Sequence, residues 1–444
     1  MIKLRIVKCG VLLFYKLLYD IINLYSERVV KNMVLQIVLF LAVFAIMPLW
    51  KKLKINFGFS LMISAVIISF IFGITPQKIA ENFITVFTTY AQIKNVIIVT
   101  LIGAFGMLLK KYDFLTKVND ALQNMLSGQK TVMMVLPAVV GLLSVPGGAQ
   151  LSAPFVDELG ESLGVKKDIR CVLNLTCRHI ATFLMPTSNS IIVMIAAAPM
   201  VDMYFLILLN IGFVVLMQLF SYLFYARDIK EVKVPVDKSK LPHYIKQLLI
   251  YLSPIYMIIV FNGIFGIELI TSVLLSFVII FIISGRNDAK GYFETFKNGL
   301  KAKTFIMMVG LFFIQNTIKS ADPLINGFSH IFLNNQGFLL ALAIFAFALL
   351  ISVTTGLSYP AIGVIMPMVA SLGLASTELT IYAFFVFCCT FIGYFFSPLH
   401  LCQLLTMQAM GCQPKNVYKE YAKLIPAVSV AVFVLFFVYQ WILL

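Results

Sequence analysis

Residues 143–154, Leu143-Ser144-Val145-Pro146-Gly147-Gly148-Ala149-Gln150-Leu151-Ser152-Ala153-Pro154, interrupt a region that is otherwise apolar. Two prolines and two adjacent glycines remove backbone donors and lower helix propensity together. In hydrocarbon, freed N–H and C=O groups find no water, so a break there is costly. The flanking residues 131–144 and 150–163 are each about 14 long and reach only ~21 Å as helix. That is short of the ~30 Å of a bilayer core. The stretch 131–164 therefore reads as a helical hairpin that enters the membrane and returns to the same side, with "SVPGG" at its tip. Broken backbone at that depth is tolerated where protein buries it or it lines a cavity.

The rest of the chain makes a bilayer the expected solvent. Of 444 residues, 61% are hydrophobic and only 12% charged, and the mean hydropathy is +0.98. A soluble domain is about half apolar and a quarter charged. Apolar runs suited to spanning fall near 33–50, 55–74, 95–110, 169–186, 203–226, 244–262, 265–284, 303–319, 378–396 and 421–443. The net charge of +15 does not point to nucleic acid, because the basic residues cluster between apolar runs, as the positive-inside bias requires. Cys9, Cys171, Cys177, Cys388, Cys389, Cys402 and Cys412 form no CxxC pair and read as buried thiols rather than disulfides or metal ligands. Residues 1–31 carry Lys16 and Asp20 within their apolar run and no small-residue cleavage site. They read as a poor first span or an amphipathic surface helix, and Met33 is an alternative start.

Charge also tests the hairpin. With Lys51, Lys52 and Lys54 inside, Lys110, Lys111, Lys117 and Lys130 also fall inside. A single crossing by 131–164 would put Lys166, Lys167 and Arg170 outside; re-entry keeps them inside. The same assumption keeps Arg227, Lys230, Lys233, Lys238 and Lys240 inside, then Arg286 to Lys303, then Lys415, Lys419 and Lys423. The basic linker 227–243 is thereby cytoplasmic, and the C-terminus lies outside a cell inner membrane.

A second copy of the pattern follows. Ser144-Val145 and Gly148 correspond to Ser352-Val353 and Gly356 at a constant offset of 208, and Pro186 to Pro398 at 212. The units run 32–226 and 244–444, the second with its hairpin at about 336–374. Five crossings in the first unit make the second start on the opposite side. The expected fold class is an all-α polytopic membrane protein of two inverted repeats, each with a re-entrant helical hairpin and a broken transmembrane helix. Paired breaks in inverted halves mark the binding site of secondary transporters.

"VPGGAQLSAPFVDELG" (145–160), "RHI" (178–180) with "MPTSNS" (185–190), and "YFFSPLHLCQLLT" (394–406) resemble an uncharacterised prokaryotic group within the ion-transporter superfamily. That superfamily includes gluconate and lactate permeases, the large subunit of tripartite dicarboxylate transporters, and sodium-coupled dicarboxylate symporters. The resemblance covers roughly residues 32–440 and implies carriage of organic anions with Na⁺ or H⁺. It leaves open a homodimer and, by the tripartite relatives, an accessory binding protein. In the group an aromatic and an acid follow the Arg-His pair; here Ala181, Thr182 and Phe183 stand there.

Four half-helix N-termini are expected near the midplane: after Gly148, Gly356, Pro186 and Pro398. Their unpaired N–H groups and partial positive charge favour an anion. The candidate substrate-binding residues are Gly147, Gly148, Gln150, Ser152, Thr187, Ser188, Asn189, Thr355, Gly356, Ser358, His400 and Gln403, which can donate without burying a fixed charge. Carbonyls of Ser144, Val145, Ser352, Val353 and Thr354 would suit Na⁺. Arg178 and His179 lie deep in a span, where ionisable groups are expensive. Arg178 could hold a carboxylate in bidentate fashion or pair with Asp157, Glu158 or Glu161, the structural pair being slightly favoured. His179 and His400 can carry protons near neutral pH, but the scarcity of embedded carboxylates favours Na⁺ over H⁺. No HExxH, GxSxG or Walker A motif occurs, so neither an enzyme nor a cofactor is expected. The reading is a secondary transporter for a small organic anion, with a channel-like pore or a partner-dependent permease as alternatives.

Overall fold

A computed structural model describes residues 33–142, 148–325 and 337–444. The N-terminal segment 1–31 with Cys9, and the hairpin-tip residues Ser144, Val145 and Gly147, lie outside the described residues. Among those described the regular structure is helical, apart from one antiparallel bridge between Gly128 and Lys233. Seven helices among the described residues are long and apolar enough to cross a membrane: Tyr90–Lys111, Lys167–Ala197, Met203–Ala226, Lys238–Ile264, Phe338–Thr355, Ser376–Phe395 and Pro414–Leu443. Shorter apolar helices include Phe57–Ile71, Gln129–Leu142, Leu269–Gly285 and Tyr359–Ala370.

Residue pattern sets which helices are central. Ser376–Phe395 is apolar on all sides, and 89% of its apolar window is buried; Phe384, Phe385, Phe387, Cys388 and Cys389 are each fully or almost fully enclosed. A helix hydrophobic all round belongs in a core. Lys238–Ile264 is only 17% buried and therefore peripheral. On Met203–Ser221, Leu208, Val215 and Leu219 form one exposed stripe along the helix, as a lipid-facing side requires.

Polar contacts sort into two opposite ends of the bundle. At the first end, Lys111 pairs with Asp288 at 2.9 Å, Gln247 Nε2 donates to the Lys117 carbonyl at 2.7 Å, and Tyr225 OH donates to the Glu420 carbonyl at 2.8 Å. The linker joins this end through Gln129 N–H to Val232 O at 2.9 Å and Lys130 N–H to Glu231 Oε1 at 2.9 Å. At the second end, Lys94 pairs with Glu268 at 2.7 Å, Tyr204 OH donates to Asn262 Oδ1 at 2.6 Å, and Ser376 Oγ donates to Met200 O at 2.8 Å. Helices 90–111, 203–226 and 241–264 each have a contact in both sets, so each runs the full depth.

The helix pair Gln129–Leu142 and Gly148–Ser162 behaves differently. Its members have 14 and 15 residues, pack on each other, and end where they began, with Ser162 Oγ 3.5 Å from Gln129 Oε1. The corresponding pair, Phe338–Thr355 and Tyr359–Ala370, starts at the second end, where Phe338 meets Phe433 and Phe437. Its first member is longer: Phe338–Thr355 has 18 residues, about 27 Å of helix, and could cross by itself. The second member of each pair reaches into the other half. Gly148–Ser162 lies along Leu401–Met410, and Tyr359–Ala370 along Asn189–Ala197.

Candidate functional site

Helices begin at Gly148, Asn189, Tyr359 and Leu401, one after each of the four interruptions. The breaks at Met185–Ser188 and Phe396–His400 arise where Pro186 and Pro398 withhold a donor. The turn between Thr355 and Tyr359 closes on Gly356, whose φ is +68° and whose α-hydrogen faces the Leu399 backbone; a Cβ there would lie 2.9 Å from the Leu399 carbonyl. Only glycine satisfies both the left-handed backbone and this approach. Ser397 Oγ adds a 2.6 Å hydrogen bond to the Val353 carbonyl. Across the halves, Ser190 Oγ and Ser358 Oγ stand 2.7 Å apart. Three of the four interruptions thus meet, and the fourth leads into a helix packed on Leu401–Met410.

The sequence-derived residues take distinct places. Thr355 Oγ1 donates to Ile351 O at 2.8 Å and accepts from Leu357 N–H at 3.3 Å, so it ties its own turn. Ser152 and Ser352 are fully enclosed with hydroxyls that meet no partner among the described residues. Thr187 is buried at the break, while Ser188 and Asn189 open the following helix without a side-chain cap. Gln403 donates to Tyr418 OH at 2.9 Å and keeps Oε1 unpartnered. Gly148 and Gln150 lie in the first turn of their helix, with side-chain surroundings outside the described residues. Of the carbonyls proposed for Na⁺, that of Ser352 accepts Gly356 N–H at 2.9 Å and that of Val353 accepts Ser397 Oγ–H at 2.6 Å.

The densest chemistry surrounds Arg178 and His179, which close the helix Lys167–Arg178. The His179 ring lies 5.0 Å from the His400 ring, centre to centre, and Tyr394 sits 4.1 Å from His400. One ring nitrogen of each histidine and Cys402 Sγ all fall within 4.8 Å of one another. Arg178 is 8% exposed, its guanidinium against the Cys402 thiol, and its Nη1 has no hydrogen-bond partner among the described residues.

One expectation is corrected here. The hairpin carboxylates do not pair with Arg178. Arg170 takes two of them, with Nη1 2.9 Å from Asp157 and 3.8 Å from Glu161, and Gly160 gives its side chain room. Arg178, two helical turns deeper, makes no ion pair among the described residues. Sequence reading also missed Tyr394, Cys402 and Tyr418. Tyr394 looks like one more aromatic in a run of them; its position one turn before Pro398 was the available signal. Cysteines 171, 177, 388, 389 and 412 are buried free thiols, as expected, whereas Cys402 is partly open.

A chain whose described residues are mostly helical and include seven membrane-length apolar helices, folded around buried polar groups at helix breaks, is a multi-pass membrane protein. It belongs to the family described as Protein of unknown function (DUF401), which matches residues 33–442. No curated protein matches the chain.

Proposed function

We propose that this protein is a secondary active transporter that carries a small organic anion by alternating access, coupled to Na⁺ or H⁺. In this reading 129–162 and 338–370 are re-entrant hairpins of two inverted repeats. The reading is supported by the reciprocal packing of each hairpin on the other half's broken helix, and by 129–162 beginning and ending at one end of the bundle. The first end is cytoplasmic, because Lys110, Lys111, Lys130, Arg227 and Arg286 gather there; the C-terminus is then external. The likeness to anion permeases in the ion-transporter superfamily belongs to this proposal.

The observation that carries it is Arg178. A buried guanidinium without a carboxylate is strongly disfavoured, and it stands where breaks from both halves meet. A substrate carboxylate would supply the missing partner. Ser152, Ser190, Ser352 and Ser358 are buried hydroxyls on the elements that flank the breaks, and they could donate without adding charge. The reading assigns the chain no catalytic step and no cofactor; its partners are the anion and the bilayer.

The test is a thermal-shift screen of purified protein against carboxylates, sugar acids and amino acids, with and without Na⁺, followed by uptake into proteoliposomes. Stabilisation by an anion and saturable, gradient-driven uptake are expected. Non-saturating conductance would make the protein a pore, and uptake only with an added soluble binding protein would make it a permease subunit.

A further inference from the structure

His179 and His400 come from different halves, yet they are prepared alike. Each Nδ1 faces a backbone carbonyl, Leu175 O at 2.7 Å and Phe395 O at 3.1 Å. A carbonyl only accepts, so each Nδ1 carries the hydrogen and each Nε2 presents a lone pair. Tyr394 OH donates to His179 Nε2 at 3.3 Å. His400 Nε2, fully buried, meets no partner among the described residues. Two buried imidazoles in contact therefore both offer a basic nitrogen.

We infer that His179 and His400 form one proton-binding unit, and that its proton binds together with the transported anion, which makes H⁺ the coupling ion. The charges around the rings decide this. They face Arg178 from their own side, Tyr394 from Ser376–Phe395, and Cys402 from the helix beyond the break, with Tyr359, Tyr418 and Tyr421 further out. None of the described neighbours is a carboxylic acid. A proton on either ring puts a second cation beside an unpaired Arg178 in a low-dielectric site, which is unfavourable. An anion on Arg178 removes that opposition. Each ligand then favours the other by the same factor. Arg178 and one imidazolium together balance two negative charges, so a dianion should show the strongest linkage.

Two other occupants fit less well. The carbonyls that would bind Na⁺ at Ser352 and Val353 already accept hydrogen bonds. For a resident metal, donors bound at about 2.0–2.3 Å lie roughly 3.3–3.8 Å apart in a tetrahedral site. Here they spread to 4.8 Å, and a guanidinium stands against the thiol.

The inference rests on the anion-carrier reading, and its test separates the two. The full-length protein in detergent is titrated with acetate, gluconate and succinate in weak buffer from about pH 6 to pH 8, within the range in which a histidine changes charge. A pH-indicator dye follows the protons. Succinate binding should take up one proton per anion and weaken by about tenfold for each pH unit gained, whether the salt is NaCl or KCl. His179→Gln and His400→Gln should each flatten that dependence, with melting temperatures recorded to check folding. Proton uptake by the unaltered protein is the deciding readout, because it needs no variant. Binding of any of the three anions without proton uptake overturns the inference and leaves the carrier reading standing; binding of none overturns both. Stoichiometric Zn²⁺ binding that both glutamine variants lose would also overturn it, by making the imidazoles metal ligands.

Discussion

Ser190 Oγ and Ser358 Oγ lie 2.7 Å apart across 168 residues of chain. Both are buried, each beside the first turn of a helix that follows a break, so this bond joins the two halves at the site. Neither hydroxyl has another side-chain partner among the described residues. Ser358→Ala should strand the Ser190 hydroxyl and cost about 1–3 kcal/mol. The double variant with Ser190→Ala should cost less than the two single changes summed, by about 0.5–1.5 kcal/mol. Denaturation in detergent measures this; strict additivity would show that the hydroxyls do not act as a pair.

Topology gives the second prediction. Ser162 returns to Gln129, and the linker residues 231–234 pack on residues 127–131. Cysteines placed at Lys166 and Lys238 should therefore react with an impermeant thiol reagent from the same side of the membrane, and one at Glu378 from the other. Labelling of 166 and 238 from opposite sides would mean that the segment 131–164 crosses completely.

The helix breaks were legible in the sequence because glycine and proline act locally. Gly148 is itself a helix start, and Gly356, Pro186 and Pro398 each precede one by three residues. The partner of Arg178 was not legible. Arg170 and Arg178 are eight residues apart, little more than two helical turns, so both share the face turned towards the hairpin. Spacing cannot say which one reaches Asp157; only the depth at which 148–162 packs decides it. The meeting of His179 with His400, Tyr394 and Cys402 is equally tertiary, since nothing in 178–180 announces residues 394–402. The two first arms also differ in length, 14 residues for Gln129–Leu142 against 18 for Phe338–Thr355, which runs unbroken to Gly356.

Gly356 offers a controlled comparison with Gly164. Both have φ of +68°, but a Cβ at Gly164 meets nothing within 4 Å, whereas at Gly356 it meets Leu399 at 2.7 Å. Gly164→Ala should cost only the left-handed backbone term, about 1–2 kcal/mol. Gly356→Ala should lower the melting temperature several-fold more, because the Leu399 backbone must move. Equal losses would show that the turn does not press on the second break.

The Lys111–Asp288 pair predicts an acid response. The Lys111 ammonium, with the Gly291 N–H, holds the Asp288 carboxyl below its ordinary value of 3.8. A carboxyl depressed by folding stabilises above its unfolded value, and that contribution fades as pH falls through the folded value. The melting-temperature difference between the native protein and Asp288→Asn should thus be constant near about pH 6 and shrink towards zero in acid below 3.8. Both side chains are partly exposed, so the difference should be small and should also fall with added salt. A difference that persists in acid would assign the effect to the Gly291 cap rather than to charge.

Arg178 gives the sharpest contrast between a structural and a substrate-binding role. A buried arginine with a protein carboxylate, once removed, leaves that acid unpaired and costs about 3–5 kcal/mol. Arg178 has no such acid among the described residues, and Arg170 does. Arg178→Leu should therefore melt at or above the temperature of the native protein while losing anion binding and uptake. Arg170→Leu should melt lower and, where it folds, retain anion affinity. Arg178→Lys keeps the charge but loses the planar fork that grips a carboxylate with two parallel bonds, so affinity should fall by at least about tenfold, equivalent to about 1.4 kcal/mol. Thermal melting and anion binding on the same three variants check all of this. A strongly destabilised Arg178→Leu would make Arg178 a structural group and remove the main support for an anion at this site.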